Sequence, residues 1–458
     1  MKRVYIIGLV CALLGMTCLP VRAEWEQPSL PVVYLEYTTL SKDVFHDGQF
    51  RLVDKGDTAV FNCEVRHRGK SSTLYEKKSY AIKLLDTNHQ KKDTSFLGMR
   101  SDNYWILDAM ACDKARMRNR VAMDLWLDCS AKPSYSTSER EICNGYRGQF
   151  VEVYVNGSYE GLYCFMERVD RKQLKLKQIQ GSTVHGVLYK SINWDGSFFG
   201  ETRQYDETSA TWMRYEYKYP DMENGLSCWE PLYRIMDFVN TASPEELASA
   251  IEQRLDMPVF IDYYLFVNLL SARDNYGKNL YLSYRDILED SKLLITPWDI
   301  DHSFGRQFDA SEEEATRACW TNDNHLYQRL EEDLPQYREQ LVERYAALRE
   351  TWWTLENLKQ RFASYFQLFR QTGAGQREEA RWSGVDGIGL DFQAEEEYIY
   401  AWLEARLAYT DSVFSSGEWQ SLDEVSYPSS PTRKIIRNGQ ILILRDNKTY
   451  TLTGQETK

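Results

Sequence analysis

Ser271-Ala272-Arg273-Asp274-Asn275-Tyr276-Gly277-Lys278-Asn279-Leu280-Tyr281-Leu282, followed by Leu293-Leu294-Ile295-Thr296-Pro297-Trp298-Asp299-Ile300-Asp301, is the stretch on which the reading of this chain turns. It holds an Arg-Asp pair, an Asn five places after that Asp, and a further Asp behind a second apolar strand. A helical pattern, Val259 to Leu270, leads directly into it. The stretch therefore reads as a buried helix that delivers a polar loop, with two short strands that deliver more carboxylates.

Composition bounds what surrounds it. A chain of 458 residues has material for two or three units, and 43% hydrophobic with 14% aromatic residues make it globular. Met1-Lys2-Arg3, an apolar run from Val4 to Leu19 and Val21-Arg22-Ala23 have the basic, apolar and small-residue parts of a secretory leader. Residues 1–23 are read as a signal peptide and the mature chain as starting near Glu24. Gly15-Met16-Thr17 matches a lipobox poorly, although Cys18 leaves lipidation open. No later segment is long and apolar enough for a membrane span after leader cleavage.

The chain has 55 basic and 68 acidic side chains, and three of the basic ones lie in the leader, so the mature protein carries about −16. That balance argues against a nucleic-acid partner. Seven of nine cysteines remain after the leader, none in a Cys-x-x-Cys, so neither a zinc knuckle nor a thioredoxin-type site is indicated. Cys129 and Cys143 flank a polar loop, and a bridge between them and a pair of buried thiols both stand open.

Further along the chain, alternation marks strands between Leu30 and Asp54, from Phe61 to Arg66 and from Ser79 to Leu85. The connection Arg68-Gly69-Lys70-Ser71-Ser72-Thr73-Leu74-Tyr75-Glu76-Lys77-Lys78 is rich in hydroxyls and cations, with a Gly that lets the backbone approach a ligand. Tyr104 to Leu107 leads to a helix over 113–126, with Asp113 as its cap. Gly148 to Tyr154 and Tyr159 to Met166 flank Asn156-Gly157, the strongest short-range hairpin signal. Residues Gly181 to Asp221 are aromatic without steady periodicity and read as an insertion beside a substrate cleft. Helices follow over 231–240, 244–255 (with Asp256 as the next cap) and 259–270. Apolar residues from Leu330 to Phe366 recur at helical spacing, and Glu395 to Phe414 is one more amphipathic helix. After a Ser/Pro linker, Arg433 to Arg445 reads as a basic β-hairpin.

The order of these pieces resembles a protein kinase. Tyr80-Ala81-Ile82-Lys83 is close to the Val-Ala-Ile-Lys of a kinase strand whose Lys pairs with phosphates, Asp274 with Asn279 resembles the catalytic loop, and Asp299 the metal-binding acid. Hard oxygen ligands suit Mg²⁺. On this pattern Asn279, Asp299 and Asp301 hold the metal and Asp274 faces the acceptor hydroxyl. Without a glycine-rich loop, the phosphate grip falls to Lys83, Arg68, Lys78, Ser71 and Ser72, and Glu167 either contacts the nucleotide or pairs with Lys83. Two other readings stand beside this one. Asp299-x-Asp301 also resembles the metal site of nucleotide-sugar glycosyltransferases, and the acids can equally belong to an inactive surface-binding or glycan-associated module. A calcium loop is disfavoured because Phe304 stands where Gly is needed.

Several ordered blocks resemble the CotH kinase family, an atypical protein-kinase-like group named for a bacterial spore-coat protein. They are Arg68-Gly69-Lys70-Ser71-Ser72 with Lys77-Lys78-Ser79-Tyr80, Trp105-Ile106-Leu107 with Asp113 and Arg118-Asn119, and Val155 to Tyr163 with Glu167, then Asp274 with Asn279, and Pro297 to Asp301 with Gly305. The resemblance runs from about Leu30 to Phe414. It implies ATP- and Mg²⁺-dependent phosphorylation of Ser or Thr on secreted or cell-surface proteins, with Mn²⁺ as an alternative ion, and it carries the two essential acids onto Asp274 and Asp299. Gly69-Lys70 departs from the Gly-Asn more usual in that motif. The implied fold class is α+β, a two-lobed kinase-like fold with a β-rich lobe over 24–170, a mainly helical lobe over 171–415, and a linker and tail over 416–458. The tail loosely resembles a type IX secretion sorting signal. Together with the leader it gives an exported protein, secreted or on the cell surface, and the sequence fixes no oligomeric state.

Overall fold

Seven strands with apolar residues at every second position close into a barrel: β1 (Val32–Tyr37), β2 (His46–Asp54), β3 (Asp57–Arg68), β4 (Ser79–Leu85), β5 (Tyr104–Asp108), β6 (Gly148–Val155) and β7 (Ser158–Met166). The computed structural model describes residues 29–193, 199–222, 224–289, 291–319 and 324–415, with strand residues 433–437, 440–445, 448–450 and 456–457 of the tail. The expected leader and linker lie outside them. The barrel order is β1-β2-β3-β4-β5-β7-β6. Its neighbours are antiparallel except the closing pair, where β1 runs parallel to β6 with Val33 opposite Val153.

Period-two alternation sends Val33, Leu35, Phe50, Leu52, Val65, Ile82, Leu84, Trp105, Leu107, Val151, Val153 and Phe165 inward, where they form one core. Trp105 stacks on Phe165 with ring centroids 4.9 Å apart. Each such side chain contributes about 1.5–3 kcal/mol by leaving water. The Asn156-Gly157 hairpin forms as expected, between β6 and β7.

Residues 181–221 differ from the expected insertion. Val187–Ser191 (β8), Thr211–Trp212 (β9) and Tyr215–Tyr219 (β10) join Leu280–Tyr284 (β11) and Leu294–Pro297 (β12) in a five-stranded sheet of order β12-β11-β8-β10-β9. Among the described aromatic residues, Phe199, Trp212 and Tyr215 are buried in the adjoining core, where Tyr189 stacks on Trp229 at 5.4 Å.

The helices are α1 (Arg118–Cys129), α2 (Glu230–Thr241), α3 (Pro244–Arg254), α4 (Met257–Leu270), α5 (His325–Asp333), α6 (Tyr337–Glu350), α7 (Leu355–Thr372), α8 (Ala374–Trp382) and α9 (Phe392–Phe414). α4 is buried all round and packs against α6, α9 and β12, as an almost uniformly apolar helix must. Trp126 of α1 meets Tyr263 and Phe266 of α4 at 6.1 and 5.2 Å, so α1 belongs to this second core. Among the described residues, no helix is long and apolar enough to cross a membrane. The described tail strands, Arg433–Arg437 (β13), Gln440–Arg445 (β14), Lys448–Tyr450 (β15) and Glu456–Thr457 (β16), form a four-stranded sheet, of which the expected hairpin is the first half.

Two expected caps act differently. α1 starts at Arg118, not 113, because Asp113 sits in a preceding tight turn and accepts from the Met117 and Arg118 amides at 2.8 and 2.7 Å. Asp256 precedes α4 but accepts from the Ser134 amide at 2.6 Å instead of capping its own helix. Cys129 and Cys143 are separate buried thiols, so no bridge closes the 130–142 loop.

Candidate active site

The chain leaves α4 through Ser271 in the left-handed region (φ 50°) and makes a single 3₁₀ turn, Arg273–Tyr276. That turn is pinned by Asn275, which is fully buried. Its Nδ2 donates to the carbonyls of Asn279 and Trp298, both at 2.9 Å, and its own carbonyl accepts from the Tyr263 hydroxyl at 2.6 Å. Asn279 Nδ2 in turn donates to the Asp299 carbonyl at 3.2 Å, so the start of β11 and the end of β12 are fastened together. Asn279 and Asp299 both hold positive φ, 55° and 56°, a conformation that short polar side chains tolerate best.

The helix after β5 supplies the outer support. Asn119 Oδ1 accepts from the Ile300 amide at 3.0 Å and from the Tyr146 hydroxyl at 2.6 Å, and its Nδ2 donates to Asp108 at 3.3 Å. Arg118, wholly buried, donates to the Ser303 carbonyl at 3.0 Å and pairs with Asp113 and Glu395 at 2.7 and 2.6 Å. The Arg118-Asn119 dipeptide thus holds the loop that carries Asp299 to Phe304.

Asp274 Oδ2 lies 3.0 Å from Lys278 Nζ and 3.1 Å from His302 Nδ1. Burial pushes this carboxyl up, but the His302 hydrogen bond and the Lys278 ammonium outweigh it and hold it well below the usual carboxylate range. Lys278 feels burial and the opposing charges of Asp274, Asp299 and Asp301, with a net upward shift. Among the described residues, no donor lies within hydrogen-bond distance of the Asp299 carboxylate. Asp108 stands nearby; burial raises its carboxyl, the Arg68 charge opposes this and that of Asp299 adds to it.

Two cations stand near these acids, Arg68 acting on Asp108 and Lys190 on Asp299. Arg68, the last residue of β3, lies over the Trp298 indole at 5.2 Å. Lys190 of β8 stands 5.8 Å from the same indole and 5.9 Å from the Tyr281 ring. Burial and the Arg68 charge push its ammonium down to about 8, against the pull of Asp299. Neither cation has an acceptor or ion-pair partner among the described residues. Gly69, at φ 116°, lets the chain turn out of β3 here; a Cβ on it would lie 1.9 Å from Ser72 Oγ.

The sequence-predicted residues divide. The structure gathers Asp274, Asn279, Asp299, Asp301 and Arg68 at one place. Lys83 is elsewhere: on β4 the residues Tyr80, Ile82 and Leu84 point into the barrel, so Lys83 lies outside it, 3.5 Å from Glu64 and 3.9 Å above the Phe45 ring. Lys78 donates to the carbonyls of Thr73 (2.9 Å) and Tyr75, which ties down its own loop. Glu167, also buried, accepts from the Arg100 and Arg147 amides and from Gln173 at 2.8–2.9 Å, so it is a strut with no lysine among its described partners. Ser71 and Ser72 form the 3₁₀ turn that follows Gly69 and Lys70, Ser72 through its carbonyl to the Tyr75 amide. The Asp301 carboxylate is turned to Cys112 (Sγ 3.0 Å) and His302.

Lys190, Lys278, His302, Asp108 and Cys112 escaped the sequence reading. Lys278 and His302 stood inside or beside the quoted stretch and had a signal in their proximity to acids. Lys190 had none, because its strand is recognisable only through partners far along the chain.

The donor set fits Mg²⁺. The Asp299 carboxylate has no donor among the described residues, and Asn279, with its Nδ2 committed, keeps Oδ1 as an acceptor. Arg68 and Lys190 supply charge for phosphate oxygens.

Residues 65–410 match the model of the family described as CotH kinase protein. This chain belongs to the CotH kinase family. A curated relative, the inner spore coat protein H of Bacillus subtilis (strain 168), is 23% identical over 288 residues, which cover 61% of this chain and 71% of the relative. The acids of the CotH kinase stretch, Asp274 and Asp299, lie within that family match, as do Arg68, Lys190 and Lys278.

Proposed function

We propose that this protein is an exported phosphotransferase that uses ATP and Mg²⁺, with Mn²⁺ as an alternative ion, to phosphorylate Ser or Thr hydroxyls of secreted or cell-surface proteins. In this reading the barrel and the helical half act as the two lobes of a kinase-like fold, with the nucleotide between them. The observation that carries it is a pair of cations, Arg68 and Lys190, without an acceptor among the described residues, near the Asp108 and Asp299 carboxylates, the latter without a donor among those residues. A nucleoside triphosphate with a hard divalent ion complements that arrangement of charge.

Arg68 and Lys190 bind phosphate oxygens, and Lys278 bridges Asp274 and the transferred group. Asp299 and the Asn279 Oδ1 would hold the ion, which when bound spreads the negative charge of the phosphoryl oxygens. Asp274 is kept anionic by His302 and Lys278, so it orients the acceptor hydroxyl and takes up its proton only late in the transfer. Most of the rate enhancement is then positional and electrostatic. Two further observations support export: the leader pattern over 1–23, and a relative named for the spore coat.

The experiment is transfer of label from γ-labelled ATP to a Ser/Thr acceptor by the purified protein, with Asp299→Ala as the control. Label transfer that needs Asp299 supports the reading. A folded protein that shows no thermal shift with ATP and Mg²⁺ would be the inactive surface module instead. A ligand at a hundredfold its dissociation constant adds about 2.7 kcal/mol, which such an assay detects.

A further inference from the structure

Beside the phosphate-facing groups lies a second cluster of different chemistry. Cys112 Sγ, in the turn after β5, is 3.0 Å from Asp301 Oδ2 and 3.7 Å from His302 Nε2, and His302 Nε2 is 3.5 Å from Asp301 Oδ1. One ligand atom from each residue lies within 4.8 Å of the others. Bonds of about 2.3 Å to sulfur and about 2.0–2.2 Å to nitrogen and oxygen place the corners of a tetrahedral zinc site about 3.3–3.6 Å apart. The sulfur and the nitrogen face different oxygens of the Asp301 carboxylate, and a small rotation of that group brings one oxygen to a corner shared with both.

We propose that Cys112, Asp301 and His302 form a binding site for a borderline divalent cation of the Zn²⁺ type, separate from the hard-ion position at Asn279 and Asp299. A thiol, an imidazole and a carboxylate are a poor set for Mg²⁺ and a good one for Zn²⁺ or Co²⁺. The second nitrogen of His302 supplies the independent observation. Nδ1 lies 3.1 Å from Asp274 Oδ2, the carboxylate–histidine–metal arrangement that orients metal-bound imidazoles. That hydrogen bond puts the ring proton on Nδ1 and leaves the Nε2 lone pair facing Cys112 and Asp301.

The surroundings fit as well. Cys112 packs with Tyr75, Ala310 and Trp382 in a small apolar cluster, while the side chains of Asp301 and His302 keep 19% and 15% exposure, enough for an entering ion and a fourth ligand from solvent. On binding, the Cys112 thiol loses its proton to solvent and the thiolate takes the ion; no electrons are exchanged. The ion would staple the turn after β5 to the loop after β12 and fix His302 against Asp274. It acts as a positioning device for that acid.

The test is optical and independent of nucleotide. The full chain, stripped of metal with a chelator, is titrated with Co²⁺. The site predicts saturable equimolar binding, a near-ultraviolet thiolate-to-cobalt charge-transfer band and the intense visible bands of a tetrahedral ion. Zn²⁺ should abolish these bands and excess Mg²⁺ should leave them. Cys112→Ser should remove the near-ultraviolet band, whereas Asn279→Ala and Asp299→Ala should retain it. His302→Gln is a second arm should Cys112→Ser fail to fold, and it should weaken Co²⁺ binding at least tenfold. Absence of the charge-transfer band in the wild type, or its persistence in Cys112→Ser, overturns the site. Either result leaves the phosphotransfer reading untouched, because that reading fails only on ATP.

Discussion

Exchanging one lysine for another separates a resemblance of letters from a geometry. Lys83 and Lys190 are the two strand lysines that compete for the role of phosphate ligand. The Lys83 side chain is 32% exposed and pairs at 3.5 Å with Glu64, an ion pair of a class worth about 0–1 kcal/mol. Its position over Phe45 adds about 0.5–1 kcal/mol. Lys83→Met should therefore lower stability by about 1 kcal/mol and leave nucleotide affinity within about twofold, since a tenfold change needs about 1.4 kcal/mol.

Lys190→Met acts on a half-buried ammonium with no acceptor among the described residues. Its downward shift to about 8 means that folding works against its charge, so the variant without nucleotide should melt higher than the wild type. The same variant loses a charge-assisted contact to phosphate worth about 1.5–3 kcal/mol, so its dissociation constant for ATP with Mg²⁺ should rise about 10- to 150-fold. Opposite signs in the free and liganded states are the signature. The charges facing Lys190 are Arg68, Asp299, Lys218 and Glu216. With its ammonium half deprotonated near pH 8 in the free protein, wild-type affinity should fall as pH rises through that value, and Lys190→Arg should carry it to higher pH. Isothermal titration and thermal shift at matched ionic strength read both effects. Loss of nucleotide binding in Lys83→Met with full binding in Lys190→Met would refute the reasoning.

Other outcomes follow from the support around the site. Arg118→Met leaves Asp113 and Glu395 as buried carboxylates short of a partner and should cost about 3–5 kcal/mol in urea unfolding. Gly161→Ala, at φ 96°, places a Cβ 2.2 Å from Glu378 Oε2, the carboxylate that pairs with buried Lys77 and Arg116 at 2.6 and 2.7 Å. It should lower the melting temperature, and it should do so more than Gly157→Ala, whose Cβ meets nothing within 4 Å. Thiol titration of the denatured mature chain should find seven free cysteines, with the melting temperature of the folded protein unchanged by reductant.

How much of this was legible in the sequence depends on the range of the forces involved. The β6–β7 hairpin, α4 and the Asp274 to Asp301 stretch were readable because Asn-Gly turns, uniform apolarity and acid spacing are local signals. The closed barrel was not, since the β1–β6 pair joins Val33 to Val153 and nothing local marks a parallel closure. Lys83 was misplaced because four letters resembled a motif, while the alternation of Tyr80, Ile82 and Leu84 already put it on the outer face. Lys190 was hidden for the opposite reason. It lies opposite Tyr281 and Glu216, partners whose pairing only the folded sheet reveals. Arg68, by contrast, stood in a motif and reached the site. Asp113, Arg118 and Asn119 were visible as a block, but their task of holding the Asp299 loop required the third dimension.

The proposed phosphoryl transfer rests on Arg68 and Lys190 acting together with the acids at 274 and 299. Its most direct test is label transfer from γ-labelled ATP by the wild-type protein and by Asp299→Ala, with folding of both verified by circular dichroism. The account predicts Mg²⁺-dependent transfer by the wild type and none by the variant. Undiminished transfer by Asp299→Ala would contradict it.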